Sequence, residues 1–93
     1  MRTMFYTYVL KCINGFGGFE YYIGSTDDLG SRLNRHITKS VVTTKKFNAI
    51  ELVYYEACRN KTDARKRELQ LKTGFGRGYL KRRLQNDGNS VCV

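Results

Sequence analysis

Apolar and polar positions alternate along residues 5–12, with Tyr6, Tyr8, Leu10 and Cys12 on one side and Phe5, Thr7 and Val9 on the other. A period of two predicts a strand. Residues 13–18 read Ile-Asn-Gly-Phe-Gly-Gly. That is turn chemistry, and residues 19–24 read as a second strand, so the pair predicts a hairpin with a loop of about six residues. Thr26 and Asp27 follow as N-caps, and Leu29, Leu33 and Ile37 recur at four-residue spacing, which predicts a helix over 28–38. Residues 39–48 have no period and read as a basic loop. Residues 49–57, rich in Val, Ile, Leu and Tyr, read as a third strand.

Asn60-Lys61-Thr62-Asp63 opens a second helix, on which Ala64, Arg67, Glu68 and Leu71 share a face. Gly74 is placed to end it as a C′ glycine. The stretch Gly74-Phe75-Gly76-Arg77-Gly78 then reads as a loop whose glycines supply unusual backbone angles. A last helix follows with Leu80 and Leu84 as its apolar stripe, ended by Asn86-Asp87-Gly88. Residues 1–86 are expected to form one domain, with 87–93 as a mobile tail.

Composition narrows the class. At 93 residues, with hydrophobic residues at 41% and charged residues at 27%, the chain reads as one soluble domain. No apolar run approaches the roughly 18 residues that a membrane span needs. Seventeen Lys and Arg oppose eight Asp and Glu, a net charge of +9. The excess is uneven, because residues 59–93 carry ten bases against three acids. Such a field attracts phosphates, on nucleic acid or on a lipid surface. The last helix has only two leucines on its stripe, which ranks a membrane partner lowest. The three cysteines, Cys12, Cys58 and Cys92, are widely spaced and form no CxxC, and His36 is the single histidine, so a structural zinc site is not expected. Cys12 and Cys58 read as core thiols and Cys92 as part of the tail, which suits a reducing cytoplasm.

Four features then converge. Tyr6-Thr7-Tyr8 and Tyr21-Tyr22-Ile23-Gly24 lie on neighbouring strands, Arg32 and His36 lie one helical turn apart, Glu68 stands on an apolar helix face, and the surroundings are basic. A carboxylate so placed requires a cation partner or a metal. Together these features resemble the GIY-YIG nuclease family. The resemblance runs from about residue 4 to 84. It is carried by Tyr22-Ile23-Gly24, by the stretch through His36, and by Ala64-Arg65-Lys66-Arg67-Glu68 with Leu71-Lys72. It looks closest to small stand-alone bacterial members, similar to the nuclease domain of the excision-repair excinuclease. Tyr6-Thr7-Tyr8 replaces Gly-Ile-Tyr in the first motif.

The resemblance implies a small α/β domain of the α+β type, a three-stranded antiparallel sheet flanked by helices in the order β-β-α-β-α-α. It implies a DNA endonuclease that is metal-dependent and structure-specific or repair-related, with Tyr8, Tyr22, Arg32, His36 and Glu68 as the catalytic set. Glu68 would hold Mg²⁺ or Mn²⁺, since one carboxylate with several waters suits that ion. Arg32 would balance charge on the phosphoryl oxygens, either Tyr8 or His36 would take the proton from water, and Tyr22 would orient water or phosphate. Asn86 and Asn89 are available for a role that some relatives give an asparagine. Lys45, Lys46, Arg65, Lys72, Arg77, Lys81 and Arg82 are the candidates for phosphate contacts, which position DNA without reading its sequence. The alternative is a nucleic-acid-binding module that keeps the fold without the chemistry.

Overall fold

The computed structural model describes residues 3–38 and 46–87. The elements follow the order β1 (Phe5–Ile13), β2 (Phe19–Thr26), α1 (Leu29–Ile37), β3 (Ala49–Cys58), α2 (Lys61–Leu71) and α3 (Gly74–Arg83). The strands form one antiparallel sheet in the order β2-β1-β3. The expected fold class and element order are therefore both present. Of the expected tail 87–93, residues 88–93 with Cys92 lie outside the described residues, as does Lys45, while Asp87 pairs with Lys11 at 3.5 Å.

As the central strand, β1 is buried on both faces. Tyr8, Leu10 and Cys12 join Phe47 in a cluster against which Tyr22, Leu29, Leu33, Ile50 and Leu52 pack. That cluster lies under α1. On the opposite face Val9, Leu71 and Leu80 form a second cluster, completed by Tyr21, Ile23, Val53, Tyr54 and Tyr79. That one lies under α2 and α3. The strand alternation thus assigns each face of β1 to its own helices. Pairing with β3 slips between Val9 and Leu10, which leaves Val53 as an extra residue in the outer strand.

The helix boundaries are set by side-chain caps. Asp28 caps α1, its carboxylate accepting from the Ser31 amide at 3.0 Å. Thr26 and Asp27 are the caps expected from the sequence, but the Thr26 hydroxyl is occupied one turn earlier, accepting from the Asp28 amide at 3.1 Å. Asn60 caps α2 as its position predicts, accepting from the Thr62 amide. Thr7 then ties the start of α2 to the sheet: its hydroxyl, buried, donates to the Ala64 carbonyl at 2.8 Å. On the far side, Arg67 grips Glu56 of β3 with a two-nitrogen fork, and the Tyr54 hydroxyl donates to the same carboxylate at 2.7 Å.

Two expectations need correction. The inward face of α1 is Leu29, Leu33 and His36, whereas Ile37 is 54% exposed. A 3.6-residue turn puts the seventh residue from Leu29 inward and carries the eighth past the seam. The glycine-spaced stretch is not a loop. Gly74 opens α3, and Thr73 caps it by accepting from the Gly76 amide. The only described glycine with positive φ is Gly17, in the hairpin turn. The glycines therefore do not supply unusual angles. Gly76 is buried against the end of α2, where a Cβ would land on the Leu71 backbone. It permits a close approach of the two helices. Gly76→Ala is accordingly expected to destabilise the fold by about 1–3 kcal/mol, because backbone cannot yield as a side-chain tip can. An unchanged urea-denaturation midpoint would remove this account of the helix junction.

Candidate active site

The site is built around two adjacent residues of β2, Gly24 and Ser25. Register pairs Tyr8 with Gly24 and Thr7 with Ser25. Paired residues share a face, so Gly24 lies on the α1 side and Ser25 on the α2 side. A Cβ at Gly24 would sit 2.5 Å from the Tyr8 hydroxyl oxygen and 2.6 Å from Cζ. The glycine of the second motif is thus required by the space that the Tyr8 ring occupies.

On the α1 side the Tyr8 hydroxyl lies 3.2 Å from Nε2 of His36, which is fully buried. Tyr22 packs edge-on against the same imidazole, with ring centroids 4.9 Å apart. Burial raises the Tyr8 pKa above that of a free phenol, while the Arg32 guanidinium beside it pulls the other way. Burial lowers the His36 pKa, and the positive charges of Arg32 and Arg35 lower it further. At neutral pH His36 is therefore neutral and Tyr8 protonated, and the tautomer of the imidazole sets which of the two donates.

On the α2 side stands Glu68, only 4% exposed. Ser25 donates to its Oε1 at 2.7 Å, Arg65 to the same oxygen at 2.9 Å, and Lys72 to Oε2 at 2.8 Å. Burial by itself raises the Glu68 pKa, but the hydrogen bonds from Lys72, Ser25 and Arg65 outweigh it and hold the group below the usual carboxylate range. Glu68 is ionised at neutral pH. Its charge is felt at Tyr8 across the strand. A cleft of about 220 Å³, lined by Ser25, Thr26, Asp27, Arg32 and Lys61 among others, opens beside this pair.

The five expected catalytic residues are therefore brought together, three above β2 with Arg32 at their flank and Glu68 below. Ser25 and Lys61 are additions that the sequence reading does not contain. Strand alternation through Tyr22 and Gly24 is the signal that would have put Ser25 on the Glu68 side. Of the expected phosphate contacts, Arg65 and Lys72 are engaged with Glu68. Arg77, Lys81 and Arg82 stand exposed on α3, and Lys46 lies over the Phe47 ring at 5.3 Å. Cys12 is a core thiol pushed up to about 11 by burial and the nearby Glu20 charge, and is inert. Cys58, expected in the core, is only half-buried, its thiol turned to the Asn60 carbonyl. Asn86 is exposed, and Asn89 lies outside the described residues.

Among the described residues no cluster of three metal-binding side chains exists. Glu68 alone still fits a hard divalent ion that keeps its waters. It is an ionised oxygen donor, and the two cations on it, Arg65 and Lys72, are long side chains 61% and 48% exposed and part of neither core cluster. No helix among the described residues is long and apolar enough to cross a membrane.

A UPF0213 protein of Desulfotalea psychrophila is 30% identical over 73 residues, covering 76% of this chain and 63% of its own length. The chain therefore spans less than two thirds of that relative. A UPF0213 protein of Staphylococcus epidermidis is 35% identical over 69 residues, covering 73% of this chain and 79% of the relative. No solved structure gives a significant match. Residues 4–86 match the GIY-YIG catalytic domain, with the second-motif glycine beneath Tyr8 and Glu68 across the strand, and the chain belongs to the GIY-YIG family of nucleases.

Proposed function

We propose that the protein is a metal-dependent endonuclease that hydrolyses DNA phosphodiester bonds at the junction of Tyr8, Arg32 and Glu68. One observation carries the reading: a buried, ionised glutamate and a tyrosine–histidine hydrogen bond converge on the same two residues of an outer strand. A fold needs no such pairing for stability, since an apolar residue at 68 would avoid the burial of a charge.

The scissile phosphate enters the cleft beside Ser25, where Arg32 and Lys61 offset its negative charge. Arg32 remains close as charge builds on the phosphoryl oxygens, which is where a fixed guanidinium contributes most. The attacking water gives its proton to the Tyr8 oxygen while the phenolic proton passes to Nε2 of His36. The relay uses the tautomer that leaves Nε2 unprotonated, because an unperturbed phenol is a poor base near neutral pH and neutral imidazole is an able one. Tyr22, packed on His36, holds the imidazole in line. Mg²⁺ or Mn²⁺ held by Glu68 would polarise the phosphate and stabilise the leaving oxygen.

A second reading has one observation behind it. Both oxygens of Glu68 are satisfied by protein groups, as in a binding module where the carboxylate only anchors α2. Glu68→Gln separates the two. Under the nuclease reading it brings cleavage of labelled DNA in Mg²⁺ down to the metal-free rate while thermal unfolding stays cooperative. Cutting at the parent rate would end the assignment.

The pH dependence supplies an independent check. The rate needs neutral His36, so it falls as pH drops through the lowered pKa of that group. The acid limb of the rate profile is expected below about 6.5. Arg35→Gln removes one of the charges that lower His36 and moves the limb to higher pH. A limb that does not move, or that lies well above 6.5, would take His36 out of the relay.

A further inference from the structure

A groove of about 790 Å³ runs between β2, one of the two outer strands of the sheet, and α3. Its interior is apolar, built on Leu80 and its neighbours, with Phe19 and Tyr21 along the strand side. Three cations line it, Lys72, Arg77 and Lys81, and no carboxylate does so among the described residues. Asp87, the acid whose charge reaches Tyr21, is paired with Lys11 at 3.5 Å. The volume is in the range that holds a drug-sized molecule, so a nucleobase with its sugar fits. Lys72, one of these cations, also donates to Glu68 at 2.8 Å, which links the groove to the candidate catalytic carboxylate.

The chemistry of this lining is mixed in an informative way. A site for an apolar ligand has no use for three cations. A surface that only grips duplex phosphates has no use for aromatic rings, since paired bases are stacked inside the helix. Rings beside a basic track are what an unpaired strand requires, with bases on the aromatic faces and phosphates on the cations. Phe19 is 41% exposed, and its ring lies 5.4 Å from that of Tyr21. Lys11 covers part of it, with Nζ 4.5 Å from the ring centroid.

We propose that this groove holds an unpaired DNA strand next to the scissile bond, its bases against Phe19 and Tyr21 and its phosphates along Lys72, Arg77 and Lys81. The preferred substrate class is then single-stranded or flap-bearing DNA, not uninterrupted duplex. The proposal rests on the nuclease reading for the identity of the nucleic acid, and it is tested without catalysis.

Fluorescence anisotropy in EDTA compares a labelled oligothymidylate with a duplex of equal length. The parent protein is expected to favour the single strand. Phe19→Ala weakens that binding by about tenfold, the loss of one base stack, and leaves duplex affinity within about twofold of the parent, because the stack serves only unpaired bases. Phe19→Tyr, which keeps the ring, binds as the parent does. Phe19 lies at the exposed outer end of β2, so the variants keep both core clusters. Arg77→Gln with Lys81→Gln lowers the salt slope of single-strand binding by about 1.4, two phosphate contacts' worth. Equal affinity for duplex and single strand overturns the proposal, as does a Phe19→Ala protein that binds the single strand unchanged. So does a sedimentation result in which Phe19→Ala splits a dimer, which would assign the groove to a second copy of the chain. A parent protein that binds the single strand but cuts no DNA with metal present sinks the nuclease reading and leaves this one standing.

Discussion

The contact of the Tyr8 ring with the bare backbone of Gly24 is the constraint on which the rest of the site depends. With a Cβ at that position the ring could not lie across β2. Without the ring there, His36 would have no phenol to meet, and Tyr22 would pack against an imidazole no longer held in place by Tyr8. Central-strand placement makes the position of Tyr8 rigid, since β1 is paired on both sides and covered on both faces. A packed interior of this kind moves little, and it transmits that rigidity to the hydroxyl.

The second half of the site is ordered by charge. A carboxylate as buried as Glu68 is tolerated only when its lone pairs are met. Here Ser25, Arg65 and Lys72 meet them. The overall excess of basic residues therefore has a local task beyond solubility. Two of the bases keep one acid ionised at a protected spot. The anchor from Thr7 to the Ala64 carbonyl decides where along β2 that acid arrives.

Much of this is legible in the amino-acid sequence. The order of elements follows from periodicities, and the Tyr, Arg, His and Glu positions follow from the resemblance to the family's motifs. Two things are not legible, for definite reasons. Gly74, Gly76 and Gly78 have poor intrinsic helix propensity, and nothing local reveals that Thr73 caps them or that the Leu71 backbone lies against Gly76. Tertiary contact overrides propensity there. The expected face of α1 is off by one residue because Ile37 is the more hydrophobic choice at the seam. His36 takes the inward position since Tyr8 provides a polar partner, which no hydropathy pattern reports. Ser25 escapes notice for a related reason, because its importance lies in a bond to a residue 43 positions away.

The division of β1 between two separate clusters has a consequence for how such a domain diversifies. Tyr8, the partner of His36, belongs to one cluster, while Tyr79 and Leu80 of α3 belong to the other. Substitutions on the exposed face of α3 are therefore expected to leave the Tyr8–His36 pair unperturbed. The sheet keeps the Tyr8–His36 pair and the basic face of α3 on opposite sides, so each is free to vary in sequence without disturbing the packing of the other.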